Sequence, residues 1–230
     1  MKLSVIIPTF NEEKCISETL QDLLANHSPD EVIVVDGGSS DRTVTLLSSR
    51  TEAERREGSI RVISTEKGRS KQMNVGAEQA TGDIFLFLHA DTKLPIGGLE
   101  RIKEAIGEGA RAGRFRMKFD SKKWILKLYE SYTRFQCFSY GDQGFFVKRD
   151  LFEQLDGFSE GVPFEDLEFY KRLREITKPR ILKGEVITSA RRFLEVGCLR
   201  QKFINMFLVT LYYLGWDVLP AKEKVYQDIR

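Results

Sequence analysis

The sequence predicts an α/β fold: a mostly parallel central sheet, helices on both of its faces, and a helical extension at the C-terminus. Three observations carry that expectation. Short apolar runs recur at Leu3–Ile7, Glu31–Val35, Ile60–Ser64 and Ile84–Leu88, segments of helical periodicity separate them, and three of the four end abruptly in polar, turn-forming residues. Runs this short and this apolar suit strands buried on both faces, and strands alternating with helices at this spacing build a parallel sheet. The run Ile84–Leu88, inside Gly-Asp-Ile-Phe-Leu-Phe-Leu-His-Ala-Asp-Thr (82–92), is the most apolar and is expected at the centre.

In chain order, Leu3–Ile7 forms the first strand, with Pro8 expected to end it because proline cannot donate to a ladder. Asn11 reads as the N-cap of a helix reaching about Asn26, with Glu12 and Glu13 complementing its dipole and Ile16, Leu20, Leu23 and Leu24 on one face. The second strand, Glu31–Val35, stops at Asp36-Gly37-Gly38-Ser39-Ser40-Asp41, where the adjacent glycines permit close backbone approach to a ligand and Ser40 or Asp41 caps the next helix. After a charged connection, Arg50–Gly58, come a third strand and a helix opened by Gly68-Arg69 and reaching Ala80. Beyond Thr92 the pattern loosens. It gives a helix near Leu99–Ile106, a glycine-rich break at 107–113, a strand at Arg114–Phe119 and a helix at Trp124–Phe135. Trp124, Leu128, Tyr132 and Phe135 form a stripe that reads first as packing and second as an acceptor-binding wall. A strand at Phe145–Val147, helices over Arg149–Leu155 and Pro163–Arg174, a strand at Val186–Ala190 and an apolar C-terminal helix complete the reading.

Composition narrows the function classes. With 36 Lys plus Arg against 34 Asp plus Glu, the net charge of +2 gives no field suited to nucleic acid as the main partner. Cys15, Cys137 and Cys198 are odd in number and widely spaced, as expected of free thiols in a reducing compartment. Pro8 falls too early for a signal-peptide core, so the expected location is cytoplasmic. The longest uncharged stretch, Phe203–Trp216, is shorter than the ~18–20 residues that span a bilayer. The wider segment Leu199–Leu219 is nevertheless apolar nearly all round and flanked by Arg200, Lys202, Lys222 and Lys224, so something must cover it: its own domain, a second subunit in a homodimer, or a membrane surface.

Three polar stops, Thr9–Glu12, Asp36–Asp41 and His89–Asp91, fall at the carboxyl ends of strands, where open α/β sheets bind ligands, and Glu165-Asp166 could face them. Carboxylates grouped with glycines and hydroxyls suit a nucleotide whose diphosphate is held through a hard divalent cation, Mn²⁺ or Mg²⁺. The ordered set Ser4-Val5-Ile6-Ile7-Pro8-Thr9-Phe10-Asn11-Glu12, Val34-Val35-Asp36-Gly37-Gly38-Ser39-Ser40-Asp41, Leu88-His89-Ala90-Asp91 and Glu165-Asp166 resembles the inverting nucleotide-sugar glycosyltransferases of family 2, with the GT-A fold. Gly68-Arg69, Gln72-Met73-Asn74, Gly141-Asp142-Gln143 and Thr188-Ser189-Ala190-Arg191-Arg192 are similar to a subgroup of small prokaryotic members whose substrates are poorly defined.

The resemblance implies a GT-A domain over residues 1–195, with a nucleotide-binding half at 1–91 and an acceptor half at 92–195, followed by a helical extension at 196–230. It implies that Pro8, Thr9 and Glu12 line the base and ribose pocket, that Asp36 contacts the base, and that Asp41 and Arg69 lie nearby. Asn11, Gly37, Gly38, Ser39, Gln72, Asn74 and Ala90 complete the expected nucleotide-binding set. Asp91 matches the last carboxylate of the family's Asp-x-Asp motif and would bind the metal, while His89 stands where the first aspartate is usual and is the second metal candidate. Asp166 matches the general base, with Glu165 in reserve, and Arg191 or Arg192 would meet charge on the leaving phosphates. The implied partners are a nucleotide-sugar donor and an acceptor of unspecified identity, a lipid-linked one among the candidates. A sugar-phosphate nucleotidyltransferase is an alternative, but Pro8-Thr9-Phe10-Asn11 lacks the glycine-rich phosphate loop expected of one, and a dehydrogenase would want GxGxxG there. A nucleotide-sugar-binding protein without catalysis is the non-enzymatic alternative.

Overall fold

Each of the first strands is buried on both sides because its residues alternate between two apolar layers. In the computed structural model, which describes residues 1–54, 60–134 and 141–227, β1 (Leu3–Thr9), β2 (Glu31–Asp36) and β4 (Ile84–Phe87) send Val5, Ile7, Val32, Val34 and Leu86 to one layer. Ile6, Ile33, Val35, Phe85 and Phe87 go to the other. The first layer is roofed by α1 (Ile16–Asn26), α2 (Thr43–Glu54), α4 (Gly98–Gly107) and α5 (Trp124–Tyr132). The second is roofed by α3 (Arg69–Gln79), α6 (Arg149–Gln154) and α7 (Glu165–Ile176).

With β3 (Ile60–Ser64), β5 (Thr92–Lys93), β6 (Ala112–Phe119), β7 (Phe145–Lys148) and β8 (Arg180–Thr188), the described residues form an eight-stranded sheet of order β3-β2-β1-β4-β7-β6-β8-β5. The N-terminal half, β3-β2-β1-β4, is parallel throughout, as expected, and β4 is central. The second half is mixed: β7 runs antiparallel to both β4 and β6, β8 is parallel to β6, and β5 is antiparallel to β8.

Several local expectations are corrected. Strand β1 passes through Pro8 to Thr9. Ile6 accepts a hydrogen bond from Leu88 N–H on the β4 side, and Pro8 faces that same side one pair further on, where β4 has ended, so its missing N–H leaves no ladder partner unmet. Helix α1 begins at Ile16, and Asn11 is not its cap: Asn11 takes a left-handed backbone (φ 55°), which asparagine tolerates, and clasps the β2 loop instead. The expected glycine break ends earlier, because Gly113 lies inside β6, where a Cβ would meet the Arg180 carbonyl oxygen at 2.4 Å. Strand β8 starts at Arg180 and ends at Thr188, so Ser189 and Ala190 lie beyond it. Helix α2 runs on through Glu54 into the expected charged connection, and residues 55–58 of that connection, with Phe135 and Cys137, lie outside the described residues; Cys15 and Cys198 are free thiols.

The C-terminal extension is a set of helices: α8 (Arg191–Val196), α9 (Cys198–Tyr213) and α10 (Leu219–Gln227). The single helix expected over Leu199–Leu219 breaks at Leu214–Val218, where Gly215 adopts φ 85°. Inward, Leu208 and Val218 form a small separate core with Phe164, supported by Ile204, Leu211 and Tyr212. Outward, Leu199, Phe203, Met206, Phe207, Tyr213, Leu214 and Trp216 are exposed, Phe203 by 64% and Trp216 by 66%. Across from α9, the Trp124, Leu128 and Tyr132 stripe of α5 is also exposed, Trp124 by 74%, so packing does not account for it. No helix among the described residues is long and apolar enough to cross a membrane.

Candidate active site

The register places the site. Thr9 and Asp36 are paired Cα to Cα at the carboxyl ends of β1 and β2, and Ser64 ends β3 beside Asp36. Because β7 runs antiparallel to β4, with Phe87 opposite Phe145, the turn that precedes β7 lies against the His89–Asp91 segment that follows β4. Because Thr92 pairs with Thr188, Asp91 lies beside the chain leaving β8, which carries Arg191 and Arg192. One edge of the sheet thus gathers the polar ends of five strands, as the ligand crevice of an open α/β sheet requires.

Around β1 and β2 the polar groups are tied into a rigid frame. The fully buried Asp36 carboxylate accepts hydrogen bonds from Gly38 N–H and Ser39 N–H, both at 3.0 Å, and from the Ser39 hydroxyl. Gly38 needs its glycine for φ 80°, and a Cβ on Gly37 would press on the Gln72 side chain at 3.0 Å. Asn11 N–H donates to Ser39 Oγ (2.9 Å) and Asn11 Oδ1 accepts from Ser40 N–H (2.8 Å). Asp41 caps the first turn of α2 through Thr43 N–H (2.9 Å) and also accepts from Glu13 N–H (3.2 Å).

Two expected ligand donors, Gln72 and Asn74, are turned inward. Gln72 Nε2 donates to the Thr9 (2.7 Å) and Val35 (2.8 Å) carbonyls, bridging the strand ends. The Asn74 amide makes a reciprocal pair with the Phe158 backbone, at 2.8 and 2.9 Å. Ala90 is buried and offers its carbonyl to the Thr19 hydroxyl (2.7 Å). Pro8 is half-buried at the mouth of the frame.

The charged groups fall into two sets. In one, Glu12 Oε2 pairs with Arg191 Nη2 at 3.0 Å and accepts from the Cys15 thiol, whose pKa is raised by burial and by Glu12. Asp91 is half-buried beside this pair, its carboxyl raised by burial and by the Glu12 charge, against the opposing pull of Arg191 and Arg192. In the other set, Arg69 joins Glu165 (Nε to Oε1, 2.8 Å) and Asp166 (Nη2 to Oδ2, 3.4 Å), while Lys222 from α10 reaches Glu165 (3.5 Å) and the Pro163 carbonyl.

Glu165 is sealed, with only 8% of its side chain exposed; burial works to raise its carboxyl, but Arg69 and Lys222 overcome this and hold it below the ordinary range. Asp166 is more open and accepts a hydrogen bond from Leu167 N–H (2.9 Å). His89 lies between the sets: burial and the charges of Arg69 and Arg192 drive its pKa well below the ordinary imidazole value, so the ring is neutral at pH 7.

No group of three or more protein ligands suited to a metal occurs among the described residues. The donor set fits a different arrangement. Asp91 supplies hard carboxylate oxygen, and its repulsion with Glu12 is a cost that a cation would relieve, while a diphosphate supplies further oxygens. His89, set between two guanidinium charges, is the poorer candidate for a ligand.

Two residues given no site role from the sequence also belong here. Asp142, on a single 3₁₀ turn (Gly141–Gln143), and Lys222 both enter the charged region. The Gly-Asp-Gln triplet just ahead of a strand was a usable signal for the first. Nothing local in the sequence marks Lys222.

A polar edge of this kind on an open α/β sheet is where such folds bind ligands. The model of the family described as "Glycosyl transferase family 2" matches residues 4–159, more than half of the chain, and the chain belongs to that family. It is 28% identical over 202 residues to "Probable glycosyltransferase YdaM" of Bacillus subtilis (strain 168), covering 75% of this chain and 46% of the relative. It is 31% identical over 111 residues to "Undecaprenyl-phosphate 4-deoxy-4-formamido-L-arabinose transferase" of Pectobacterium carotovorum, covering 46% and 34%. This chain spans less than half the length of either relative.

Among solved structures, residues 1–349 of Staphylococcus aureus TarS in complex with UDP-GlcNAc superpose with a TM-score of 0.67 at 25% identity, over 82% of this chain and 58% of TarS 1–349. A Pyrobaculum calidifontis mannosyltransferase, PcManGT, in complex with GDP-Man and Mn²⁺ shares the fold, with a TM-score of 0.64 at 23% identity over 82% and 56%. The fold class and family expected from the motifs are therefore borne out, and the nucleotidyltransferase alternative falls away.

Proposed function

We propose that this chain transfers a sugar from a nucleoside-diphosphate donor to an acceptor hydroxyl with inversion. The observation that carries the reading is the division of the site's charges. Asp91 with Arg191 and Arg192 forms one set and Asp166 on Arg69 the other, along one strand edge and within a family of glycosyltransferases.

The base and ribose sit against Pro8, Thr9, Glu12 and the Asp36–Ser39 loop, and the diphosphate lies toward Asp91, Arg191 and Arg192. Asp91 would hold a Mn²⁺ or Mg²⁺ ion, which when bound neutralises charge on the departing diphosphate. Asp166 takes the proton of the acceptor hydroxyl as that oxygen bonds to the anomeric carbon, the bond from that carbon to the phosphate oxygen breaks, and the diphosphate leaves with the electron pair. Glu165 does not serve as the base, because two cations neutralise it and burial seals it; it positions Arg69. Incubation with UDP-GlcNAc or GDP-mannose and Mn²⁺ tests the reading: nucleoside diphosphate is released and a chelator stops it. Absence of release from every sugar nucleotide offered counts against the reading.

The acceptor is presented at an anionic membrane surface, where the outer stripe of α9 and the exposed face of α5 make contact. Helix α9 has no acidic residue, most of its exposed side chains are aromatic or aliphatic, Arg200 is exposed on the same helix, and Lys122, Lys123 and Lys127 are exposed at the start of α5. Lysine with exposed Trp, Tyr and Phe suits an interface of acyl chains and anionic headgroups. Matches to relatives such as the undecaprenyl-phosphate transferase of P. carotovorum support a lipid-linked acceptor. The intact chain is expected to float with phosphatidylglycerol vesicles, and Phe203→Ser/Phe207→Ser is expected to lose at least about tenfold of that binding. Equal, negligible flotation of both contradicts the membrane assignment and leaves a homodimer as the cover for the stripe.

A further inference from the structure

Two polar atoms at the strand edge have no hydrogen-bond partner among the described residues. Nε2 of His89 and Oδ1 of Asp142 are both shielded from solvent, and neither makes a hydrogen bond. The antiparallel pairing of β4 with β7 makes them neighbours, since Leu88–Ala90 continues from β4 where the Gly141–Gly144 turn enters β7. Arg69, which pairs with Asp166 at 3.4 Å, is the cation whose charge acts on both. Buried polar atoms left without a hydrogen bond cost stability, and two of them on neighbouring segments of one strand edge point to a ligand that supplies the missing bonds.

The character of the two atoms limits what that is. A second cation is disfavoured, because His89 already stands in the field of Arg69 and Arg192. An anion is disfavoured by Asp142, Asp91 and Asp166. A carboxyl oxygen accepts a hydrogen bond, and a ring nitrogen of an imidazole can give or take one, so each orphaned atom calls for a single directional hydrogen bond. Hydroxyls, which both give and take hydrogen bonds, match such a pair.

We propose that Asp142 and His89 form a hydroxyl-binding pair that reads two hydroxyls of the donor's glycosyl ring. His89 follows the same strand end as Asp91, Asp142 precedes β7 on the neighbouring segment, and the glycosyl ring is joined directly to the diphosphate, so a diphosphate placed at Asp91 carries its sugar toward this pair. The assignment rests on the transferase reading. It makes Asp142 a residue of sugar specificity, where the base and phosphates are held by other groups.

Calorimetric titration of UDP against UDP-GlcNAc, and of GDP against GDP-mannose, with Mn²⁺ present, isolates the contribution of the sugar. The wild-type chain is expected to bind one sugar nucleotide more tightly than its bare nucleotide. Asp142→Asn and Asp142→Ala are expected to remove about tenfold to a hundredfold of that increment while affinity for the bare nucleotide stays within about threefold. His89→Ala removes part of the same increment, and the double variant loses less than the two single losses combined. Retained nucleotide binding by the variants shows that they are folded. An increment unchanged by Asp142→Asn and Asp142→Ala, or a wild-type chain that holds no sugar nucleotide more tightly than the nucleotide, overturns the assignment alone. A wild-type chain that binds none of the four overturns the transferase reading with it.

Discussion

Asp166→Asn is expected to lower the transfer rate by about a hundredfold to ten-thousandfold while nucleotide affinity stays within about threefold. The substitution keeps shape and removes the capacity to take a proton from the acceptor. The hydrogen bond from Leu167 N–H to Oδ1 survives, because an amide carbonyl accepts it equally well, so the start of α7 should hold. Glu165 cannot stand in. Its carboxylate is held by Arg69 at 2.8 Å and by Lys222 at 3.5 Å. Steady-state rates on a responsive donor, with calorimetry of the bare nucleotide, make the comparison. Full activity in Asp166→Asn would move the base elsewhere, and binding without turnover in the wild-type chain would favour a protein that holds the nucleotide sugar and does nothing further.

The second large effect is expected at Arg69, which holds two neighbouring carboxylates and acts on two more. Arg69→Met should abolish measurable transfer and destabilise the fold by about 1–3 kcal/mol, less than a fully buried pair would cost because about a third of the side chain reaches solvent. The sign of its pH dependence is distinctive. In the wild-type chain Glu165 lies below its unfolded value, so it adds stability above the ordinary carboxylate range and loses it as pH falls through the folded value. Without Arg69, burial dominates and the folded carboxyl rises, so the variant gains relative stability as pH falls. The gap between the two proteins should therefore narrow from pH 7 to about pH 4.5 in urea melts. A constant gap would mean that Arg69 contributes by packing alone. Arg69→Lys should recover stability better than activity, since an ammonium keeps the charge without the two-sided fork.

The strands were legible because their chemistry is local. A run such as Ile-Phe-Leu-Phe has no polar face to show, so it reads as buried on both sides wherever it occurs, and β4 proved central. The Asp36-Gly37-Gly38-Ser39 stop and the Asp91 stop were legible for the same reason. What the sequence could not show depends on contacts between distant residues. Gln72 looks like a ligand donor until its amide is found bridging the carbonyls of Thr9 and Val35. Lys222 looks like a solvated helix charge until α10 folds back on Glu165. Asn11 misled because a helix cap and a left-handed turn call on the same short amide chemistry. The stripe of Trp124, Leu128 and Tyr132 shows that a face needs cover, and periodicity alone does not say from what.

The central claim is that the edge carrying Asp91, Arg191 and Arg192 holds a nucleoside diphosphate through a divalent cation. Titration of UDP and GDP into the wild-type chain and Asp91→Asn, each with Mn²⁺ and with chelator, tests it most directly. The account predicts that the wild-type chain binds one of the two nucleotides with Mn²⁺, loses at least about tenfold of that affinity with chelator, and that Asp91→Asn behaves with Mn²⁺ as the wild-type chain does without it. Binding equally tight with Mn²⁺, with chelator and in Asp91→Asn would contradict it.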